Sequence, residues 1–455
     1  MHSFLVLPIL LLALVSATLG QQWVNPHFDA HRIDYRDLGY PQQNLIPADN
    51  SPITALLSHS NGFVYGATSG KTQSYLFFYN RYINKVRPLG KIGNAKAVHH
   101  CLLEGDDGVI YIGTGLNMFA PVKLTQDFPV EYEAVEKQLW KDIVRPYEGF
   151  EGGHIYKYNP KTGDVQRYRS EDATPLEDLG IPVPGETIYA VTMNPSRTML
   201  YGITYPNAHL FSLNLVSGES KDLGEILRKR VFGGPVRHWR TVPRALVFRY
   251  ESIYTSGNNG IIIKVDPETG EITKTNMRLP GEYWEGLKSM DYPVVEAFVS
   301  CGADQTLYAG TSDGHVVRIS DKDELTVLGK PRIQRRIRGM AMGLDKRLYV
   351  VTGEIGKSAK LHTYDLTGSR GFTELGVIAV DRSPYYQKRA YNVDAIAVGP
   401  DGTVFVGESD RRAKLFLYTP PLMNLLEIFK EGYNPTNPVV ERMRDSTPGL
   451  IKESL

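Results

Sequence analysis

Apolar and polar positions along this chain alternate in short runs broken by turn residues, and the same arrangement returns seven times. Each copy has an apolar strand start, a turn, a second strand centred on Tyr or Phe, another turn, and an aromatic-rich third strand. The copies begin at Ile53, His99, Ile188, Arg244, Val295, Ile337 and Val393. Their second strands include Phe63-Val64-Tyr65-Gly66, Val109-Ile110-Tyr111-Ile112-Gly113 and Val404-Phe405-Val406-Gly407; third strands include Leu76-Phe77-Phe78-Tyr79 and Leu415-Phe416-Leu417-Tyr418. Several copies end in a Leu-Gly pair: Leu89-Gly90, Leu179-Gly180, Leu223-Gly224, Leu328-Gly329 and Leu375-Gly376. Short runs of this kind, bounded by turn signals, are strand patterning. A period of roughly 40 to 50 residues with four short strands per unit predicts an all-β, seven-bladed β-propeller over residues 29–420.

The seventh copy stops after its third strand at Tyr418, with no Leu-Gly strand behind it. The missing piece stands at the other end of the chain, in Asp34-Tyr35-Arg36-Asp37-Leu38-Gly39. This N-terminal strand is therefore predicted to be the outer strand of the last blade, closing the ring and removing the open edges of a linear array. Residues 421–455 remain as a C-terminal extension.

The opening residues 1–20 carry a short apolar run, Phe4 to Val15, ending in small residues. That run is too short for a spanning helix and reads as a secretory signal peptide, placing the protein in a secreted or periplasmic compartment. No later stretch is apolar enough to span a membrane. Two cysteines, Cys101 and Cys301, make no disulfide framework. A net charge of +1 argues against generic nucleic-acid binding, and a monomer is expected. The near-neutral balance conceals basic links between blades: Arg228, Lys229, Arg230, Arg237, Arg240 and Arg244 in one, and Lys330, Arg332, Arg335, Arg336 and Arg338 in another. Such links open on one face of a propeller and suggest an anionic ligand.

Aligning the copies on the second-strand aromatic places Thr54, His99 with His100, Tyr189, Arg244, Glu296, Arg338 and Asp394 at the entry to each innermost strand, where side chains reach the central channel. Alternation sends neighbours to opposite faces, so one of His99 and His100 faces the channel; His100 has the register of Thr54, Arg338 and Asp394. A second layer comes from loops between second and third strands, which carry His154, then Tyr205 and His209, then His315. In blade 2 that loop is replaced by an insertion, 116–152, with a helical pattern from Glu131 to Val144. A segment of that length is expected to act as a lid over the funnel, touching ligand through some of Arg145, Tyr147 and Glu148. Imidazoles at His99, His100, His154 and His209 lack metal-ligand spacing. No metal site is assigned and no cofactor is required, although a structural or substrate-bridging divalent cation would be compatible.

Basic residues with His and Tyr suit β-elimination at a uronic acid. Negative charge developing at C5 needs an electrostatic partner, one group takes the proton, and another supplies one to the departing O4. Hydrolysis would want two facing carboxylates, and the ring acids Glu296 and Asp394 are flanked by arginines. In its whole repeat region the chain resembles secreted propeller polysaccharide lyases, the ulvan lyases and rhamnose–glucuronate lyases, most specifically at His100 and His154 of one blade with Tyr189 opening the next. The resemblance implies a catalytic His pair, a Tyr, and an Arg that neutralises the carboxylate. Sixteen residues beyond Tyr189 this chain has Tyr205 rather than such an Arg, which leaves that role to Arg244 or Arg338. The catalytic set is then His100, His154, Tyr189 and Arg244, with His99, Tyr205, His209, Glu296, His315, Arg338 and Asp394 binding an acidic polysaccharide or oligosaccharide. The alternative is a non-catalytic propeller that binds anionic carbohydrate or a protein partner.

Overall fold

A computed structural model describes residues 33–38, 46–117, 149–164, 172–227, 242–281, 292–301, 305–332, 336–353, 358–366, 371–382, 386–410 and 412–421. The expected signal peptide, most of the blade-2 insertion (118–148) and nearly all of the C-terminal extension lie outside these residues.

The described strands form seven four-stranded antiparallel sheets, arranged as the blades of a β-propeller. Blade 1 runs Ile53–Ser58, Val64–Thr68, Tyr75–Asn80 and Lys85–Lys91. Blades 2 to 6 follow in chain order, and each first strand packs near the axis. The seventh sheet takes three strands from the C-terminal repeat, Val393–Val398, Val404–Glu408 and Lys414–Tyr418, and its fourth from Ile33–Asp37. That outer strand pairs antiparallel with the third, from Ile33 opposite Tyr418 to Asp37 opposite Lys414, so the ring closes as its repeat pattern requires. A two-stranded hairpin, Ala379–Arg382 with Tyr386–Arg389, is added in the link between blades 6 and 7.

The repeat residues have identifiable tasks. Aromatic side chains of the second and third strands, Tyr65, Phe77, Phe78, Phe211 and Phe416 among them, are fully buried. The glycine closing several second strands lets the next blade approach. A Cβ on Gly113 would stand 2.7 Å from Ile188, one on Gly310 2.6 Å from Ile337, and one on Gly407 2.5 Å from Ile53. Each is closer than carbon atoms pack. The Leu-Gly pairs mark a bulge in the outer strand. In blades 1, 3, 5 and 6 the ladder skips Leu89, Leu223, Leu328 and Leu375. The following glycines have φ of 115°, 95°, 122° and 134°, a region L-residues avoid. Cys101 and Cys301 are both free thiols.

Candidate functional site

A second bulge recurs in the innermost strands, and it builds the site. In blades 1, 3, 5, 6 and 7 the pairing of first with second strand jumps one residue, between Ile53 and Ala55, Ile188 and Ala190, Val295 and Ala297, Ile337 and Gly339, and Val393 and Ala395. The residues left out of the ladder are Thr54, Tyr189, Glu296, Arg338 and Asp394. A bulge re-aims the side chain it frees. In blades 2 and 4 the regular first strand begins later, at Leu102 and Val247; His100 precedes it on an isolated bridge to Ala190 and Arg244 on a loop tied through its N–H to the Val295 carbonyl.

His100, Arg244, Glu296, Arg338 and Asp394 line one axial cavity of about 190 Å³. Arg244 is its hub. Its Nη1 donates to Glu296 Oε2 at 3.0 Å, and its Nη2 reaches Asp394 Oδ1 at 3.1 Å and His100 Nε2 at 2.6 Å, so one guanidinium ties blades 2, 5 and 7 to blade 4. Arg338 Nη1 shares Asp394 Oδ1 at 3.2 Å. Arg336 closes the group, donating to Glu296 Oε1 from Nε at 3.0 Å and lying within ion-pair distance through Nη2 at 2.9 Å.

The electrostatics follow from burial and this wiring. Burial opposes ionisation of Asp394, but the Arg244 and Arg338 charges outweigh it and hold the carboxyl well below its ordinary range. Glu296 is lowered in the same sense by Arg336 and Arg244 against its own burial. The two arginines that share Asp394 diverge. Burial would lower both; Arg244, enclosed by Asp394, Tyr189 and Glu296, is raised, whereas Arg338 falls to about 10. Burial, then Arg244, brings His100 down to about 3, so its imidazole is neutral. A guanidinium can only donate, so His100 Nε2 accepts and its proton resides on Nδ1. Three guanidinium groups (Arg244, Arg336, Arg338) face two carboxylates (Glu296, Asp394), an excess of one positive charge among the described residues. In this set no three His, Cys, Asp or Glu side chains are grouped so that they could hold a metal.

The other expected site residues separate into two groups. His99, lowered by burial to about 4, meets the Leu116 carbonyl through Nε2 at 3.0 Å. It packs edge-on against Tyr189 at 5.4 Å, and Tyr205 packs tilted against the same Tyr189 ring, also at 5.4 Å. These three stand behind the charged ring. His154, His209 and His315 are not brought to it. His154 opens the third strand of its blade, two strand spacings or roughly 10 Å outward from the first, and its Nδ1 meets Asp178 of the outer strand at 2.9 Å. His154 is thus held by Asp178 and does not line the cavity that His100 does. His209 meets Asp222 in the same way at 2.9 Å, and Lys360–Glu374 and Lys414–Asp37 repeat the pairing. In all four the acid precedes a Leu-Gly pair, and Asp178 and Asp222 also accept from the glycine N–H. These are clasps between third and outer strands. His315 lies beside Asp313, whose carboxylate also holds Lys330. An exposed pair of this type contributes about 0–1 kcal/mol; His154→Ala is therefore expected to lower the urea midpoint slightly and to leave ligand affinity within about twofold.

Arg336 stands two residues before Arg338 in a basic link, outside the register that marks the other ring residues in the repeat. The ring itself had an additional mark. Each of its seven residues is followed by a small one, giving Thr54-Ala55, His100-Cys101, Tyr189-Ala190, Arg244-Ala245, Glu296-Ala297, Arg338-Gly339 and Asp394-Ala395.

No protein-family model and no curated protein sequence matches this chain. Among solved structures it is similar to a streptogramin B lyase, with a TM-score of 0.53, 12% identity, and coverage of 86% of this chain and 99% of that one. It is also similar to a catalytically inactive virginiamycin B lyase from Staphylococcus aureus with quinupristin, at 0.51, 12%, 85% and 100%. A third is the extracellular domain of the two-component system BT4673 from B. thetaiotaomicron, at 0.51, 15%, 86% and 40%. At such identities the likeness is one of fold.

Proposed function

We propose that the protein recognises the carboxylate of an acidic, uronate-containing glycan at the mouth of the axial channel. The observation that carries this reading is the charge of the ring, three guanidiniums against two carboxylates around a neutral His100. In a partly desolvated cavity an unbalanced cation favours an anionic ligand far more than it would in water. Arg338 is the cation least compensated by its neighbours and is the one assigned to the ligand; Arg244, with both Nη groups engaged, holds the ring together. An acidic glycan would be met outside the cell, in keeping with the N-terminal apolar run. No described helix is long and apolar enough to cross a membrane.

The second reading is β-elimination. Burial raises the Tyr189 pKa, so its phenol stays protonated and suits the role of proton donor to the leaving oxygen rather than that of base. The neutral imidazole of His100 can take a proton but has none to give short of imidazolate, which leaves it the acceptor in such a scheme; His154 has no part in it. Propellers of this fold do include lyases, streptogramin B lyase being one.

Calorimetric titration with a panel of uronic polysaccharides and their oligosaccharides tests both readings. Binding is expected at low salt, with Arg338→Gln weakening it by about 30-fold or more (~2 kcal/mol). A rise in ultraviolet absorbance from an unsaturated product, lost in Tyr189→Phe, supports elimination. Binding with no new absorbance leaves recognition alone, and no binding to any uronate overturns the assignment.

A further inference from the structure

We propose that the axial cavity also takes free short-chain carboxylic acids, with the carboxylate at the charged ring and an apolar tail in the layer beneath it. The inference rests on the reading that the ring binds a carboxylate, and it adds a ligand class which that reading does not contain.

Two residues after each ring position the chain places an apolar side chain. Five of these, Val191, Leu246, Phe298, Met340 and Ile396, line the same cavity as the charged residues. Residues two apart on a strand are separated by roughly 6–7 Å, so the cavity is charged at one level and apolar at the next. A uronate enters carboxylate first and keeps its hydroxyls above the ring, because the second layer offers them little to pair with. An alkyl tail meets no such penalty.

Arg244 adds an independent sign of a ligand. Its side chain is only 8% exposed, and its Nε has no hydrogen-bond acceptor although both Nη groups are engaged. Buried donors in native proteins are nearly always satisfied, and a carboxylate oxygen would satisfy this one while balancing the excess charge. Size suits the class: a cavity of about 190 Å³ has room for a carboxylate and a few carbons.

Calorimetric titration of the full chain with acetate, propionate and butyrate, and with 3-hydroxybutyrate, 1-butanol and glucuronate as controls, tests the proposal. Affinity is expected to rise about fourfold per methylene along the acid series. 3-Hydroxybutyrate should fall back toward acetate, and 1-butanol should fail to compete. Phe298→Ser, checked for native circular dichroism, should lower the butyrate-to-acetate ratio. A flat acid series with clear glucuronate binding overturns this inference and leaves the glycan reading standing. Failure of every carboxylate, glucuronate included, overturns both. Equal binding of 1-butanol and butyrate overturns the carboxylate end of the site, and a rising series in the wild-type chain supports the proposal even if the Phe298 variant does not fold.

Discussion

Replacing Arg244 by Ala is expected to destabilise the protein by about 3–5 kcal/mol, the range for removing one member of a buried ion pair, and to abolish anion binding. The guanidinium is the shared partner of Glu296, Asp394 and His100. Without it Glu296 keeps Arg336 and Asp394 keeps Arg338, but each carboxylate loses a counter-charge in a site where desolvation already opposes ionisation. Urea unfolding should show a lower midpoint at unchanged slope. Arg244→Lys restores charge without the planar fork that serves three partners at once and should recover only part of the loss. Parental stability in the Ala variant would show that the three contacts add nothing beyond the hydration they replace.

Removal of residues 29–40 is expected to have the other large effect. Ile33–Asp37, from the far end of the chain, is the fourth strand of blade 7. Its deletion exposes the ladder edge of Lys414–Tyr418 and removes two fully or almost fully buried side chains, Ile33 and Leu38. Truncating buried Leu or Ile to Ala typically costs about 2–5 kcal/mol each, and the exposed edge is a template for intermolecular pairing. The truncated chain should unfold at much lower denaturant and aggregate at concentrations where the full chain does not. A synthetic peptide spanning 29–40, added in trans, should restore part of both. Two-state unfolding at the parental midpoint would refute the closure's contribution to stability.

The blade count, the N-terminal closing strand and five of the seven ring positions, His100, Arg244, Glu296, Arg338 and Asp394, were legible in the sequence, because each recurs and a repeat multiplies a weak local signal. The wiring among ring residues was not. That Arg244 crosses the channel to blades 2 and 7, whereas Arg338 reaches only Asp394 and a backbone carbonyl, depends on side-chain reach in three dimensions, which repeat alignment does not encode. His154 misled for a chemical reason: a histidine beside an insertion in the blade that carries His100 invites a catalytic reading. The register that explains it, a base opening the third strand opposite an acid before Leu-Gly, becomes visible only when His209–Asp222, Lys360–Glu374 and Lys414–Asp37 are set beside it. The bulges were hidden as well, since a one-residue skip leaves the apolar pattern on either side intact.

The bulge at the head of the innermost strands separates two kinds of change that are usually equivalent in a strand. Thr54, Tyr189, Glu296, Arg338 and Asp394 stand outside the ladder, and at Glu296, Arg338 and Asp394, which line the cavity, a substitution alters what the axis presents while the neighbouring pairs keep their partners. A deletion at the same point would be absorbed by the ladder itself: Val295 and Ala297, for example, would become consecutive rungs, and nothing would be left over to face the axis. Related chains should therefore vary freely in the identity of these residues and hardly at all in their spacing. New ligand chemistry in such a ring would then arise by exchange of single letters at fixed places.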